Sequence, residues 1–295
     1  MIDLRQIEVS VIVPAYNEEK TISACLTSLL AQNYPRNKYE IIVVNDGSTD
    51  STESVVQTFT EQHSQLVLVS KENGGKGSAQ NLGLRYARGS LVLITDADTI
   101  APSNWLSKMT AELRKADVAL GGCYLYLPPA ASRLEKVQNA QYLINFKYGG
   151  FRGTLRSGAN IAFKKTVVDG LGGFSESMKS TTADFVKRAR AKGYVIAFNP
   201  DIAVQTKGTS SLTGFIKQKL RWRESPLNIL KRKAKPSKSD IVGIGYTHGL
   251  SLALFSLTIL AIVWQDFRYF LAPFTLILLI DILLTFIYSE TSFLI

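Results

Sequence analysis

Apolar positions in the first hundred residues follow two alternating rhythms. Short runs at Val9 to Pro14, Ile41 to Val44, Leu66 to Val69 and Leu91 to Ile94 read as buried strands, rich in β-branched residues. Helical spacing fills the intervals. Ile22, Cys25, Leu26, Leu29 and Leu30 share one helix face behind Asn17-Glu18-Glu19, which supplies a cap and first-turn acids. A second helix is expected around Glu53 to Thr60, and a third runs through Ala79, Leu82 and Tyr86. This alternation predicts an α/β fold, a mostly parallel, Rossmann-like sheet with helices on both faces. Ligands then bind beyond the carboxyl ends of the strands. Four polar clusters fall there: Tyr16 to Glu18, Asp46 to Asp50, Asn73 to Gly77, and Asp96 to Asp98.

Further on, a helix through Trp105, Leu106, Met109 and Leu113 leads to a strand at Val118 to Tyr124. Pro128-Pro129 breaks the chain before an amphipathic helix expected over Ser132 to Tyr148. The turn Arg156 to Asn160 precedes the strand Ile161 to Phe163, and Gly172-Gly173-Phe174 reads as a tight loop. Asp184 opens the next helix, as a helix-start acid or as a catalytic base.

The C-terminal third changes character. Leu212, Phe215, Ile216 and Leu220 line one face of a helix suited to a membrane interface. Residues 241–264 and 269–288 are each long enough to cross a bilayer, which takes about 20 apolar residues, and four residues separate them. A transmembrane hairpin is expected. The domains are then 1–210, catalytic; 211–240, a basic interface segment; and 241–295, membrane.

Charge supports this division. Of the net +10, residues Lys217 to Lys238 hold nine basic side chains against Glu224 alone, a local +8. A basic stretch abutting an apolar run reads as juxtamembrane and cytoplasmic rather than as a nucleic-acid patch. It places the catalytic domain in the cytoplasm on a multi-pass anchor. Cys25 and Cys123 make no disulfide framework. His63 and His248 are too few and too scattered for a zinc site or a histidine triad.

The chemistry concentrates where the fourth strand ends. Asp96 and Asp98, two residues apart, can point to one side. Paired carboxylates at a buried strand end repel each other unless a cation joins them, and oxygen ligands suit Mg2+ or Mn2+. A dinucleotide-binding domain fits poorly. The first turn, Pro14-Ala15-Tyr16-Asn17-Glu18, lacks the Gly-x-Gly-x-x-Gly cradle and opens its helix with acids.

Taken together, Val9 to Glu18, Val44 to Asp50, Lys76-Gly77, Asp96-Ala97-Asp98, Gly172-Gly173-Phe174, Asp184 and Gln218 to Trp222 resemble family 2 glycosyltransferases of the GT-A fold. The Gln-x-x-Arg-Trp element is similar to that of the membrane synthases of cellulose, chitin, hyaluronan and poly-N-acetylglucosamine. The resemblance implies a metal-dependent inverting transferase. Its donor would be a nucleotide-sugar such as UDP-glucose or UDP-N-acetylglucosamine. Pro14, Ala15, Tyr16 and Glu18 would line the nucleoside pocket. Asp46 would meet the uracil, Lys76 would lie near the nucleotide, and Asp96 and Asp98 would hold the metal. Asp184 would be the base, and Gln218, Arg221 and Trp222 the acceptor end. Two departures stand out: Thr182-Ala183-Asp184 lacks the Glu of the family's Thr-Glu-Asp, and two spans cannot enclose an export channel. A lipid-linked or glycan acceptor at the membrane is therefore the expected partner. A processive synthase acting as a homo-oligomer and a non-catalytic nucleotide-sugar-binding subunit are the alternatives.

Overall fold

The computed structural model describes residues 7–126, 132, 134–136, 138–139, 158–178, 180–209, 211 and 213–215. Gln218, Arg221, Trp222 and both apolar runs lie outside the described residues. No helix among the described residues is long and apolar enough to cross a membrane.

The strand–helix alternation appears as expected, in a mixed α/β sheet. Strands β1 (Val9–Ala15), β2 (Tyr39–Asp46), β3 (Leu66–Lys71) and β4 (Leu91–Ile94) alternate with helices α1 (Ile22–Leu30), α2 (Thr52–Gln62) and α3 (Lys76–Tyr86). Then come β5 (Thr99–Ile100), α4 (Trp105–Leu113), β6 (Val118–Tyr126), β7 (Ile161–Lys164), α5 (Lys165–Leu171), α6 (Thr181–Ala191) and β8 (Ile196–Lys207). One eight-stranded sheet has the order β3-β2-β1-β4-β7-β6-β8-β5. The half built from β1 to β4 is parallel. Beyond β4 the sheet is mixed: β7 runs antiparallel to both β4 and β6, and β5 antiparallel to β8.

Each strand divides its side chains between two cores, because successive residues point to opposite faces. Val9, Val11 and Val13 join Ile22, Cys25, Leu26, Leu29 and Trp105 on one side. Ile12 joins Ala79, Leu84, Phe174 and Phe185 on the other. Helices therefore cover both faces, with α1, α2 and α4 against α3, α5 and α6. Leu30, expected inside, is only half-buried.

Asn17 does not cap α1. It sits in the left-handed region at φ 55°, and its side-chain oxygen accepts from Thr49 N at 2.8 Å. The helix begins five residues later, at Ile22. Farther along, Ser132 and Glu135 form a reciprocal cap. Glu135 N donates to Ser132 Oγ at 3.2 Å while Glu135 Oε2 accepts from Ser132 N at 2.8 Å. This pair opens the helix expected from Ser132.

Glu40 is a buried carboxylate inside β2 that the apolar pattern conceals. It accepts from Ser10 Oγ at 2.7 Å, Arg88 N at 2.8 Å and Arg88 Nε at 2.7 Å. Gly89 N closes the ring by donating to Ser10 Oγ at 2.8 Å. Removing one member of such a network strands the rest without partners. Glu40→Ala is expected to cost about 3 kcal/mol, read as a lower urea midpoint at unchanged m-value.

Candidate active site

The four polar clusters converge on one rim through backbone-directed hydrogen bonds. The loops after β1 and β2 are knitted together. Asn17 N donates to Ser48 Oγ at 3.0 Å and Glu18 N to Thr52 Oγ1 at 2.7 Å. Pro14 and Ala15 end β1, and Tyr16 stands 48% exposed beside them, an open aromatic face. Asp46, placed by sequence at a uracil, spends its carboxylate on the third loop. Oδ1 accepts from Gly74 N at 3.0 Å and Lys71 Nζ at 2.7 Å, and Oδ2 from Gly75 N at 2.8 Å. Gly75 holds φ 85°, a backbone angle at which side chains are strained. The loop thus fixed delivers Lys76 as the first residue of α3.

Lys76 Nζ donates to Asp96 Oδ1. The Asp96-Ala97-Asp98 turn is braced from beneath. Thr95 Oγ1 donates to Ala159 O at 2.9 Å, and Thr99 Oγ1 to Asp96 O at 2.7 Å. Thr206 Oγ1 on β8 reaches Asp98 Oδ2 at 3.2 Å. Burial, then the nearby charges of Asp96 and Glu18, push the Asp98 carboxyl up to about 6; Lys76 and Thr206 pull the other way. Asp98 feels the charges of Asp96 and Glu18, a repulsion that a hard divalent cation would relieve. Asp98 and Asp96 would be its ligands, although no group of three metal-ligating side chains stands together among the described residues. Cys25 and Cys123 lie near the same charges, and burial pushes both thiols up, so neither is a nucleophile.

Asp184 is held by an ion pair on its own helix. Its Oδ2 accepts from Arg188 Nε at 2.7 Å. Arg188 in turn donates to Leu171 O at 2.9 Å and Gly173 O at 2.8 Å. The pair spans i to i+4 on α6 and clamps the Gly172-Gly173 loop, a spacing visible in the sequence. Asp184 stands in the first turn of its helix, as expected of a helix-start acid, and that helix has no side-chain cap. Two residues earlier in the same turn, Thr182 is buried with no partner for its hydroxyl.

Sequence reasoning also missed Asn160, fully buried behind the rim. It accepts from Trp105 Nε1 at 2.9 Å and donates to Gly122 O and Ile202 O, both at 2.8 Å. In one side chain it ties α4, β6 and β8 to the turn before β7. An asparagine in a Gly-Ala-Asn turn carries no sequence signal for that role.

The strand ends thus gather paired carboxylates, a lysine and an exposed aromatic face. The comparisons give the family. Residues 10–172 match the model of glycosyl transferase family 2, and the chain belongs to that family. Glycosyltransferase AglE of Haloferax volcanii is 30% identical over 201 residues, 66% of this chain and 65% of that one. The poly-beta-1,6-N-acetyl-D-glucosamine synthase of Staphylococcus aureus is 29% identical over 233 residues, 76% of this chain and 56% of the synthase. Two solved structures are similar. The mannosyltransferase PcManGT from Pyrobaculum calidifontis, in complex with GDP-Man and Mn2+, has a TM-score of 0.58 at 27% identity, over 75% of this chain and 62% of its own. S. aureus TarS 1-349 in complex with UDP-GlcNAc has 0.54 at 25%, over 70% and 60%. The chain spans between half and two thirds of the length of these relatives.

The raised Asp98 carboxyl gives a test of the metal site that needs no substrate. A carboxyl whose folded value lies above its unfolded one favours folding most below about pH 4. That contribution is lost as the pH rises through about 6. With chelator at pH 8, Asp98→Asn is expected to melt higher than the parent, and at pH 4 the two should coincide. Added Mn2+ should raise the melting temperature of the parent and leave that of Asp98→Asn unmoved.

Proposed function

We propose that this chain is a membrane-anchored, metal-dependent inverting glycosyltransferase. It moves a sugar from a nucleotide-sugar to a lipid-linked or membrane-associated acceptor. The observation that carries the reading is the pair Asp96 and Asp98 at the end of β4, with Lys76 bonded to Asp96 and Thr206 to Asp98. The relatives of known structure bind GDP-Man with Mn2+ and UDP-GlcNAc, which supports the donor class and the metal.

Each residue then has a task. Tyr16 offers its face to the nucleoside, and Asp46 holds the loop that carries Lys76. Lys76 neutralises charge beside the diphosphate, and Asp96 and Asp98 hold the metal. The bound metal supplies charge stabilisation as the nucleoside diphosphate departs. One in-line displacement at the anomeric carbon inverts its configuration. Gln218, Arg221 and Trp222 would form the acceptor end, with a tryptophan face against a sugar ring and an arginine against phosphate. The apolar runs 241–264 and 269–288 would anchor the enzyme, with the basic stretch before them on the cytoplasmic side.

The test is transfer by the purified full chain in detergent with native lipid extract. UDP- and GDP-sugars are supplied with Mn2+ or Mg2+, and products are read by mass. A single sugar on a lipid is expected. A ladder of long products would favour the processive synthase. Absence of both transfer and nucleotide release would leave a binding subunit. Asp98→Asn should lower transfer about a thousandfold or more, because the charge stabilisation of the leaving group is lost.

A further inference from the structure

Gln80 is fully buried in α3, and neither its amide nitrogen nor its amide oxygen has a hydrogen-bond partner. No other described side chain leaves two buried polar atoms unpaired. That arrangement is costly, so the amide calls for a partner that arrives in another state of the site. The helix is too closely seated to shift and wet it. Three residues to either side, a Cβ on Gly77 would stand 2.6 Å from Ser175 O, and one on Gly83 2.5 Å from Ile12 Cγ2. Lys76 stands four residues earlier on the same helix face, one turn nearer the rim. Helical side chains lean toward the N-terminus, so the Gln80 amide lies over the turn that Lys76 begins. A cation in a first turn opposes the helix dipole, and no side chain caps α3. The Lys76 ammonium instead donates to Asp96 Oδ1. Asp96 is also a ligand in the metal reading. An ammonium and a divalent cation on one carboxylate repel each other at close range, so Asp96 takes one of them at a time.

We propose that Gln80 is a positioning residue for Lys76: its amide oxygen receives the ammonium that Asp96 gives up to a divalent cation. The proposal deepens the glycosyltransferase reading and rests on its metal. Before the exchange, Lys76 lends its charge to Asp96 and Gln80 goes unpaired. After it, the ammonium turns back along its own helix and donates to Gln80 Oε1. The new bond offsets the loss of the old one, and Lys76 stays beside the rim, where a diphosphate needs it. An amide suits this task because it accepts from an ammonium without adding charge next to the cation. Thr182 is the rival acceptor. A Cβ on Gly158 would stand 3.2 Å from both Lys76 Nζ and Thr182 Oγ1, so that unpaired hydroxyl stands across a gap from Lys76, on another helix.

The experiment measures Mn2+ affinity on the full chain in detergent, with no sugar donor, from the loss of the paramagnetic resonance signal of the free ion. Asp98→Asn gives the baseline for unspecific binding. Gln80→Met keeps the length of the side chain and removes both polar atoms. It is expected to weaken Mn2+ binding about tenfold to a hundredfold, the usual effect of losing a group that supports a metal ligand. With chelator it should melt no lower than the parent, because two unpaired polar atoms leave the core. In a Lys76→Met background the same change should alter the affinity by less than about twofold, and Thr182→Val in the parent should do no more. Lys76→Met alone should bind Mn2+ about threefold more tightly, since nothing has to leave Asp96. Unchanged affinity in Gln80→Met, an equal loss in both backgrounds, or a matching loss in Thr182→Val would overturn the proposal. If Gln80→Met does not fold, Lys76→Met decides: weaker binding there would show that Lys76 helps to hold the cation and would rule out the exchange. If the parent binds no more Mn2+ than Asp98→Asn, the metal reading itself fails and the exchange with it, which is a different result.

Discussion

Like charges held at close range must be fixed by groups that do not share their charge. At this rim Lys76 pairs with Asp96, and neutral groups do the rest of the fixing. Thr95 and Thr99 tie the Asp96 to Asp98 turn to Ala159 and to its own backbone, and Thr206 reaches Asp98 from β8. The turn that carries the carboxylates is held in place by the protein itself, so under the proposed reading a metal would release repulsion without a search for geometry.

The brace continues into the protein. Ala159 is followed by Asn160, whose side chain is shared among Trp105, Gly122 and Ile202. On the other face, Phe163, Phe174 and Phe185 pack with ring centroids 4.5 to 6.0 Å apart. They seat α6 against β7, and with it Thr182 and the Asp184–Arg188 pair. Both the Asp96 to Asp98 turn and α6 are thus anchored to β7 and the turn before it.

The first half of this architecture was plain in the sequence, because parallel strands buried on both faces write themselves as continuous apolar runs. The second half was less legible. β8 is long but only partly buried, so its pattern is weak, and the reversal of β7 leaves no local mark. Among site residues, Asp96 and Asp98 were readable because charges at a buried strand end demand an explanation. Asn17 misled because a good capping residue is also a good left-handed residue, and here the loop after β2 claimed it. Asp184 drew attention as an acid at a helix start. It stands in the first turn of α6 as expected, and the Arg188 four residues on supplies the ion pair that the helical spacing allows. Thr182 and Gly158 were silent, since a hydroxyl and a missing side chain gain meaning only from what stands next to them.

The grip of Asp46 on the third loop has a consequence for how such an enzyme can change. The carboxylate takes hold of main-chain N–H groups at Gly74 and Gly75. Beyond Lys71, whose ammonium it also binds, it reads the path of the chain rather than the identity of side chains along it. Glu72 and Asn73 can therefore drift without moving Lys76, provided the φ of 85° at Gly75 is kept. Under the proposed reading, a segment free to vary while Lys76 stays fixed is where a preference for one nucleotide over another can be rewritten with the rest of the rim left intact.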